Sequence, residues 1–435
     1  MRRHVILILI VLIYLGIGTL YVIFTPSWQA PDEPAHYNYV SQLAEGQLPV
    51  IEAGDYDQAY INEVVFESRF APHYPLSEIE YEDWQPPLYY LLQTPGYLLS
   101  SASLTAMRFV SLLLGAGVIV LAYAIVRRLA PREDWLILTT AIIVAFIPQH
   151  IAMLASVNND ALAEFLIASI SYILVVIGQS NSFRARHYVL LGILLGLGYL
   201  TKGTVYPVTA VAGLVLLWHF WGAWRQLVHA GVLAAVPAFL LGGLWWGRNI
   251  TVYGGLDVLG KGAHDAVVIG QPRTAEWIAQ YGPLETVEGF VKTTFNSFWG
   301  QFGWMTVPMT YPSWLYPVLW LLTGIAVIGL LVTTIQKRKW LREWTLALLI
   351  LCSLLVLTLG VYVGYNLTFV QHQGRYLFPA LIPIALGLAI GLGIWIRPFS
   401  KRWPHSIYII PIGLGVALIA LDLYALFRVL IPALS

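Results

Sequence analysis

Pro31-Asp32-Glu33-Pro34-Ala35-His36-Tyr37-Asn38-Tyr39-Val40 begins a few residues beyond the first apolar run of this 435-residue chain. It puts two adjacent carboxylates, and an imidazole one helical turn further on, where a membrane helix has just surfaced. Asp32 is positioned to be the N-cap of a short helix, because Pro34 is tolerated in a first turn and Gly46 can end it. On such a helix Asp32 and His36 are i and i+4 and share one side. That side can bind a metal or serve one substrate. The plain alternative is a capping Asp beside a solvated Glu and an interfacial His.

Working outward, 58% of the residues are hydrophobic and 11% charged, and the mean hydropathy is +0.71. This is the composition of an all-α polytopic membrane protein. A net charge of +1 identifies no partner, and no nucleic acid is expected. The single cysteine, Cys352, lies in an apolar run, which leaves neither a disulfide framework nor a Cys-rich metal site. Seventeen tryptophans and twenty-five tyrosines suit extensive membrane interfaces.

The apolar run from Val5 to about Phe24 meets the ~20 residues a bilayer requires. No small-residue cleavage site follows, so an uncleaved anchor is expected, and Arg2 and Arg3 put the N-terminus in the cytoplasm. Thr25 to Trp84 is then outside and carries twelve of the twenty-three acidic residues against one basic residue, Arg69. A connection of roughly sixty residues is functional or disordered. Its tyrosines, prolines and apolar residues argue for a folded cap.

Gln85-Pro86-Pro87-Leu88-Tyr89-Tyr90-Leu91-Leu92 re-enters the membrane. Further apolar runs at about 105–126, 135–152, 161–178, 188–201, 204–221, 227–247, 314–335, 344–363, 377–396 and 406–427 bring the expectation to about 11 transmembrane helices. Alternate connections hold Arg127, Arg128 and Arg132; Arg184 and Arg186; Arg225; Lys337, Arg338, Lys339 and Arg342; and Arg397, Lys401 and Arg402. All fall on the cytoplasmic side in this reading. The chain divides into a module over 1–250 that includes outer loop 25–84, an outer loop over 251–313 of no assignable role, and C-terminal helices over 314–435.

Ionisable residues at the outer helix ends are functional candidates, since charge near a membrane is costly. They are Asp160 in Ser156-Val157-Asn158-Asn159-Asp160, Lys202, Arg248, and Arg375 with Tyr376 in Gln371-His372-Gln373-Gly374-Arg375-Tyr376. Each has a plainer reading: Asp160 with Glu164 can favour a helix dipole, Lys202 can snorkel, and Arg248 can anchor a helix at the interface. No HxH or HExxH spacing marks a zinc site. Asp422, in the last span, has no evident partner.

Asp32-Glu33 after an uncleaved first helix, then Gln-Pro-Pro-Leu-Tyr-Tyr-Leu-Leu, resembles the GT-C superfold of polyprenyl-phosphate-sugar-dependent membrane glycosyltransferases. That group includes protein O-mannosyltransferases and the aminoarabinose transferases of lipid A. Asn158-Asn159-Asp160-Ala161-Leu162, Gly198-Tyr199-Leu200-Thr201-Lys202-Gly203 and Gly374-Arg375-Tyr376-Leu377-Phe378-Pro379-Ala380-Leu381 look like the same group, particularly its prokaryotic branches. Gln85 departs from the basic or His residue that many of the group carry before Pro-Pro.

The resemblance implies transfer of a sugar from a polyprenyl-phosphate donor to an acceptor hydroxyl on a glycan, lipid or protein; inversion is expected because one base-like carboxylate motif, and no second nucleophilic carboxylate, is evident. The reaction would take place at the extracytoplasmic face of a prokaryotic plasma membrane. Asp32 is the expected base and Glu33 the second choice; Lys202, Arg248 and Arg375 would hold the donor phosphate, with His36, Asp160 and Tyr376 also binding substrate. A divalent metal on Asp32, Glu33, His36 or Asp160 is the one cofactor considered. No Gly-rich phosphate loop marks a nucleotide site. A transporter or flippase of lipid-linked glycans, or a non-catalytic subunit of the same fold, is the competing reading. The former would show hydropathy symmetry and ionisable residues at mid-membrane.

Overall fold

The structure, a computed structural model, describes residues 2–336, 344–400 and 402–434. Lys337, Arg338, Lys339, Arg342 and Lys401, counted above among the cytoplasmic charges, lie outside the described residues. In chain order the principal helices are α1 (Arg2–Phe24), α2 (Glu33–Ala44), α3 (Leu88–Leu99), α4 (Leu104–Leu129), α5 (Asp134–Ala145), α6 (Pro148–Leu154), α7 (Asp160–Gly178), α8 (Ala185–Tyr199), α9 (Tyr206–His219) and α10 (Trp224–Tyr253). After a second outer segment ending in α11 (Pro283–Trp299) come α12 (Leu315–Gln336), α13 (Thr345–Asn366), α14 (Leu381–Ser400) and α15 (Ile409–Tyr424).

The protein is a multi-pass, all-α membrane protein. Among the described residues eight helices are long and apolar enough to span, or nine if α5 and α6, bent by 60° at their junction, count as one. The bend falls where Pro148, at the start of α6, cannot donate to a continuing helix. Two of the expected spans, 188–201 and 204–221, are the shorter α8 and α9, of 15 and 14 residues. The chain breaks between them because Lys202 is in extended backbone, φ −165° and ψ 149°.

Large side chains such as Leu12, Leu113, Phe239 and Leu240 face outward, as lipid-facing residues do. Inside, Gly391 of α14 lies so close to the Ala326 carbonyl of α12 that any side chain would collide. This is the small-residue contact that lets membrane helices approach.

The outer segment 25–84 carries a small core of its own. Ile51, Ile61, Val64, Val65, Ile79 and Tyr81 pack with Ala35 of α2, and Val268 from the second outer segment joins them. Asp57 caps the short helix Gln58–Ile61 by accepting from the amides of Ala59 and Tyr60 at 2.8 and 3.1 Å. The Ile51 amide donates to the Tyr253 hydroxyl at 3.2 Å, and Arg248 donates to the Pro49 carbonyl. The first and second outer segments therefore share one cap across the expected division at 250.

Candidate active site

Asp32 does precede α2, but its side chain makes no cap. Its backbone is left-handed, φ 67° and ψ −4°, and the carboxylate turns away from the helix. Such a conformation costs a non-glycine residue about 1–3 kcal/mol and persists only where the surroundings enforce it. Oδ2 lies 2.6 Å from Nη2 of Arg375, and Oδ1 accepts from the Tyr81 hydroxyl at 2.9 Å. Burial pushes this carboxyl up, but the charge of Arg375 and the hydrogen bonds from Arg375 and Tyr81 outweigh it and hold it below the usual carboxylate range. Asp32 is thus an ionised, partly exposed carboxylate, with 23% of its side chain open.

Glu33 is fully buried and turns elsewhere. Its two oxygens meet Arg108 Nε at 2.8 Å and Nη2 at 2.5 Å, and they accept from the amides of Trp28 at 3.2 Å and Val157 at 3.1 Å. Arg108 also donates to the carbonyls of Val22, Thr25 and Pro26. The pair therefore ties the end of α1, the turn leading to Asp32 and the loop before α7 to one another. This is the enforcement that the backbone at Asp32 requires. With its acceptors taken by structural donors, Glu33 is not available as a second base.

Arg375 is supplied by a 3-10 turn, Gly374–Ala380, that leads into α14. The Gly374 amide donates to Ser297 Oγ of α11 at 2.7 Å, and a side chain at this position would meet the backbone of Thr294 and Phe298. Only glycine lets the turn sit this close to α11. Arg375 Nε donates to Gln373 at 2.7 Å, and its guanidinium lies 5.3 Å from the centre of the Tyr376 ring.

A second ion pair, Asp160 Oδ1 with Lys202 Nζ at 2.6 Å, joins the start of α7 to the break between α8 and α9. His36 shares Nδ1 with the Tyr90 hydroxyl at 2.9 Å, and the Asn159 amide donates to the same hydroxyl at 3.3 Å. Burial, with Lys202 adding to it, pushes the His36 imidazole down to about 3. The charges acting on it are those of Lys202, Asp32, Asp160 and Arg375, so both ion pairs lie near His36 under the cap. Glu164, one turn beyond Asp160, faces away and meets His150 Nε2 at 2.7 Å.

Arg248 is not brought into this group. It is packed over Trp245 and Tyr253 and bonded to Pro49, Asn249 and Tyr253, which fastens the cap. The expected set for a metal does not fit one either: Asp32 and Asp160 are each paired with a cation, Glu33 with Arg108, and His36 with Tyr90. Among the described residues no three of His, Cys, Asp and Glu converge as ligands, and no step below is routed through a metal.

Sequence reading passed over Tyr81, Glu82, Tyr90 and Arg108. Arg108 carried a signal, a guanidinium inside the apolar run 105–126. Glu82 lies beside Tyr81; burial first, then the charge of Asp32, pushes its carboxyl up to about 8.

A family model described as predicted membrane protein (DUF2142) matches residues 79–384. No curated protein matches the chain. Among solved structures, ArnT from Cupriavidus metallidurans bound to undecaprenyl phosphate is similar, with 15% identity over 98% of this chain and 73% of that one, TM-score 0.53. The apo oligosaccharyltransferase of Archaeoglobus fulgidus is similar at 13% identity over 98% of this chain and 56% of that one, TM-score 0.54. Its complex with an inhibitory peptide and a dolichol-phosphate matches at 12% identity, 99% and 56% coverage, TM-score 0.50. At such identities the likeness is one of fold, and the fold is GT-C.

Proposed function

We propose a function for a chain that belongs to the predicted membrane protein family DUF2142: it transfers a sugar from a polyprenyl-phosphate donor to an acceptor hydroxyl at the extracytoplasmic face. The observation that carries this reading is the Asp32–Arg375 pair, a carboxylate and a guanidinium 2.6 Å apart where the segment after α1 meets the turn before α14. The Asp160–Lys202 pair lies near the same His36.

In the resting protein each cation is occupied by a carboxylate. A donor phosphate entering between them competes for Arg375 and Lys202. Drawing Arg375 from Asp32 removes the largest influence that keeps this carboxyl low, so donor binding itself strengthens the base. The acceptor oxygen then attacks the anomeric carbon as its proton passes to Asp32. The bond from that carbon to the phosphate oxygen breaks, and its electron pair leaves on the phosphate, where Arg375 and Lys202 stabilise the charge. Attack from the face opposite the phosphate gives inversion, which anomeric NMR of the product would test. Tyr376, against Arg375, and His36, through Tyr90, shape the walls.

The lipid part of the donor has an apolar environment available. A cavity of about 440 Å³ between α12, α14 and α15 is lined by Trp314, Leu319, Leu322, Leu388, Leu392 and Leu418. ArnT and the archaeal oligosaccharyltransferase, with undecaprenyl phosphate and dolichol-phosphate respectively, support a polyprenyl phosphate as the ligand class. On this reading residues 1–250 supply most of the chemistry, Arg375 completes it from the C-terminal helices, and 251–313 meets the acceptor. The N-terminus is cytoplasmic.

The test is transfer from radiolabelled polyprenyl-phosphate sugars by the purified protein in lipid. Asp32→Asn should abolish turnover, a loss of about 10²–10⁴-fold or more for a missing base, while still binding donor. Arg375→Ala should lose donor binding as well. Equal donor binding and no turnover by wild type and both variants would favour a transporter or a non-catalytic subunit.

A further inference from the structure

Glu82 has no part in the transfer chemistry above, although it follows Tyr81, whose hydroxyl donates to Asp32 at 2.9 Å. The carbonyl of Gln85, three residues on, accepts from Tyr39, whose ring stacks on that of Tyr90, and His36 and Asn159 hold the Tyr90 hydroxyl. Both cations nearby are taken, Arg375 by Asp32 and Lys202 by Asp160.

Glu82 Oε2 is shielded from solvent and has no hydrogen-bond partner. Gln85, 5% exposed, donates its backbone amide to the Glu82 carbonyl at 2.9 Å and leaves its side-chain Oε1 buried and unpartnered. Asn159, fully buried, gives its amide to Tyr90 and leaves Oδ1 unpartnered. Buried acceptors without donors are rare in native proteins because each forfeits its solvation. Three along this chain of contacts describe a surface waiting for hydrogens. Three such acceptors, with at most one proton among them on Glu82, suit a polyol, whose hydroxyls donate as well as accept, better than a phosphate, which carries negative charge and only accepts.

We propose that Glu82 Oε2, with Gln85 Oε1 and Asn159 Oδ1, is the subsite that accepts the hydroxyl hydrogens of the transferred sugar, so that Glu82 is a specificity-determining residue. The assignment rests on the transferase reading. It divides the donor between two surfaces: phosphate on Arg375 and Lys202, sugar hydroxyls on the orphaned acceptors. Gln85 then serves a purpose without the charge that many of the resembling group carry before Pro-Pro.

The experiment compares binding of two probe classes to the full-length protein in nanodiscs. One is undecaprenyl phosphate without sugar; the other is undecaprenyl phosphate bearing arabinose, mannose or glucose. For the sugar that wild type transfers, Glu82→Ala should weaken donor binding about tenfold or more, while the sugar-free lipid binds wild type and variant alike. Glu82→Gln, which keeps the size and an acceptor, should recover most of the loss and controls for misfolding.

Donor binding unchanged in Glu82→Ala overturns the subsite, as does an equal loss for the sugar-free lipid. Donor binding that requires an added divalent cation in wild type, and no longer responds to it in Glu82→Ala, assigns the carboxylate to a metal and overturns it too. Failure of wild type to transfer any of the sugars would overturn the transferase reading itself, and is seen before any variant is compared.

Discussion

Replacing Arg108 with methionine tests whether the buried pair with Glu33 holds Asp32 in its left-handed backbone. The guanidinium makes five hydrogen bonds, to Glu33 at 2.8 and 2.5 Å and to the carbonyls of Val22, Thr25 and Pro26 at 3.2, 2.8 and 3.2 Å. Methionine spans a similar length but strands a fully buried carboxylate. Breaking a buried pair in this way costs about 3–5 kcal/mol, more than most single substitutions. Part of that cost comes from the stranded charge and not from the lost contacts. Adding Glu33→Gln to Arg108→Met removes the charge and should restore about 1–3 kcal/mol.

The assay is the unfolding midpoint in detergent, followed by tryptophan fluorescence, with turnover measured on the same samples. Turnover should fall further than the folded fraction, because the turn from Trp28 to Glu33 no longer fixes Asp32. An unchanged midpoint in Arg108→Met, or a double variant no more stable than the single one, would refute the reasoning.

Tyr81→Phe removes a donor to the ionised form of Asp32, so the pKa of the base rises and the acid limb of the kcat/KM profile should move to higher pH. His36 behaves in the opposite sense for stability. Its folded pKa, about 3, lies below the ordinary 6.5, so the unfolded chain takes up the proton first and stability is lost as pH falls from about 6.5 towards 3. At pH 5 the loss should be about 2 kcal/mol, and His36→Gln should flatten the stability profile over that range. Gly374→Ala forces a methyl group against the Thr294 and Phe298 backbone and should cost about 1–3 kcal/mol in the unfolding midpoint. By displacing Arg375 it should also raise the KM for donor.

The residues now paired were legible separately. Asp32, Asp160, Lys202 and Arg375 stand out in the sequence because charge at the end of an apolar run needs a reason. Their pairing was not legible, since Asp32 and Arg375 are 343 positions apart and no local period links them. The pairing of Glu33 was hidden for the same cause: its partner Arg108 lies inside the apolar run 105–126. Arg248 has the same sequence signature as Arg375, an arginine at an outer helix end. Only its packing on Trp245 and Tyr253 reveals a fastener. Hydropathy runs register composition, whereas Lys202 breaks 188–201 from 204–221 and Pro148 bends 135–152 through backbone geometry that averages conceal.

The cap is held down at two edges. Arg248 and Tyr253 stitch it to α10 through Pro49 and Ile51, and Val268 shares its small core. A roof sewn to its walls cannot swing open like a hinged lid without tearing out a buried contact. The economical doorway is then lateral, along the plane of the bilayer. A hydrocarbon-tailed donor would never leave its solvent on the way in, whereas an acceptor arriving from water would have to find a gap in the stitching.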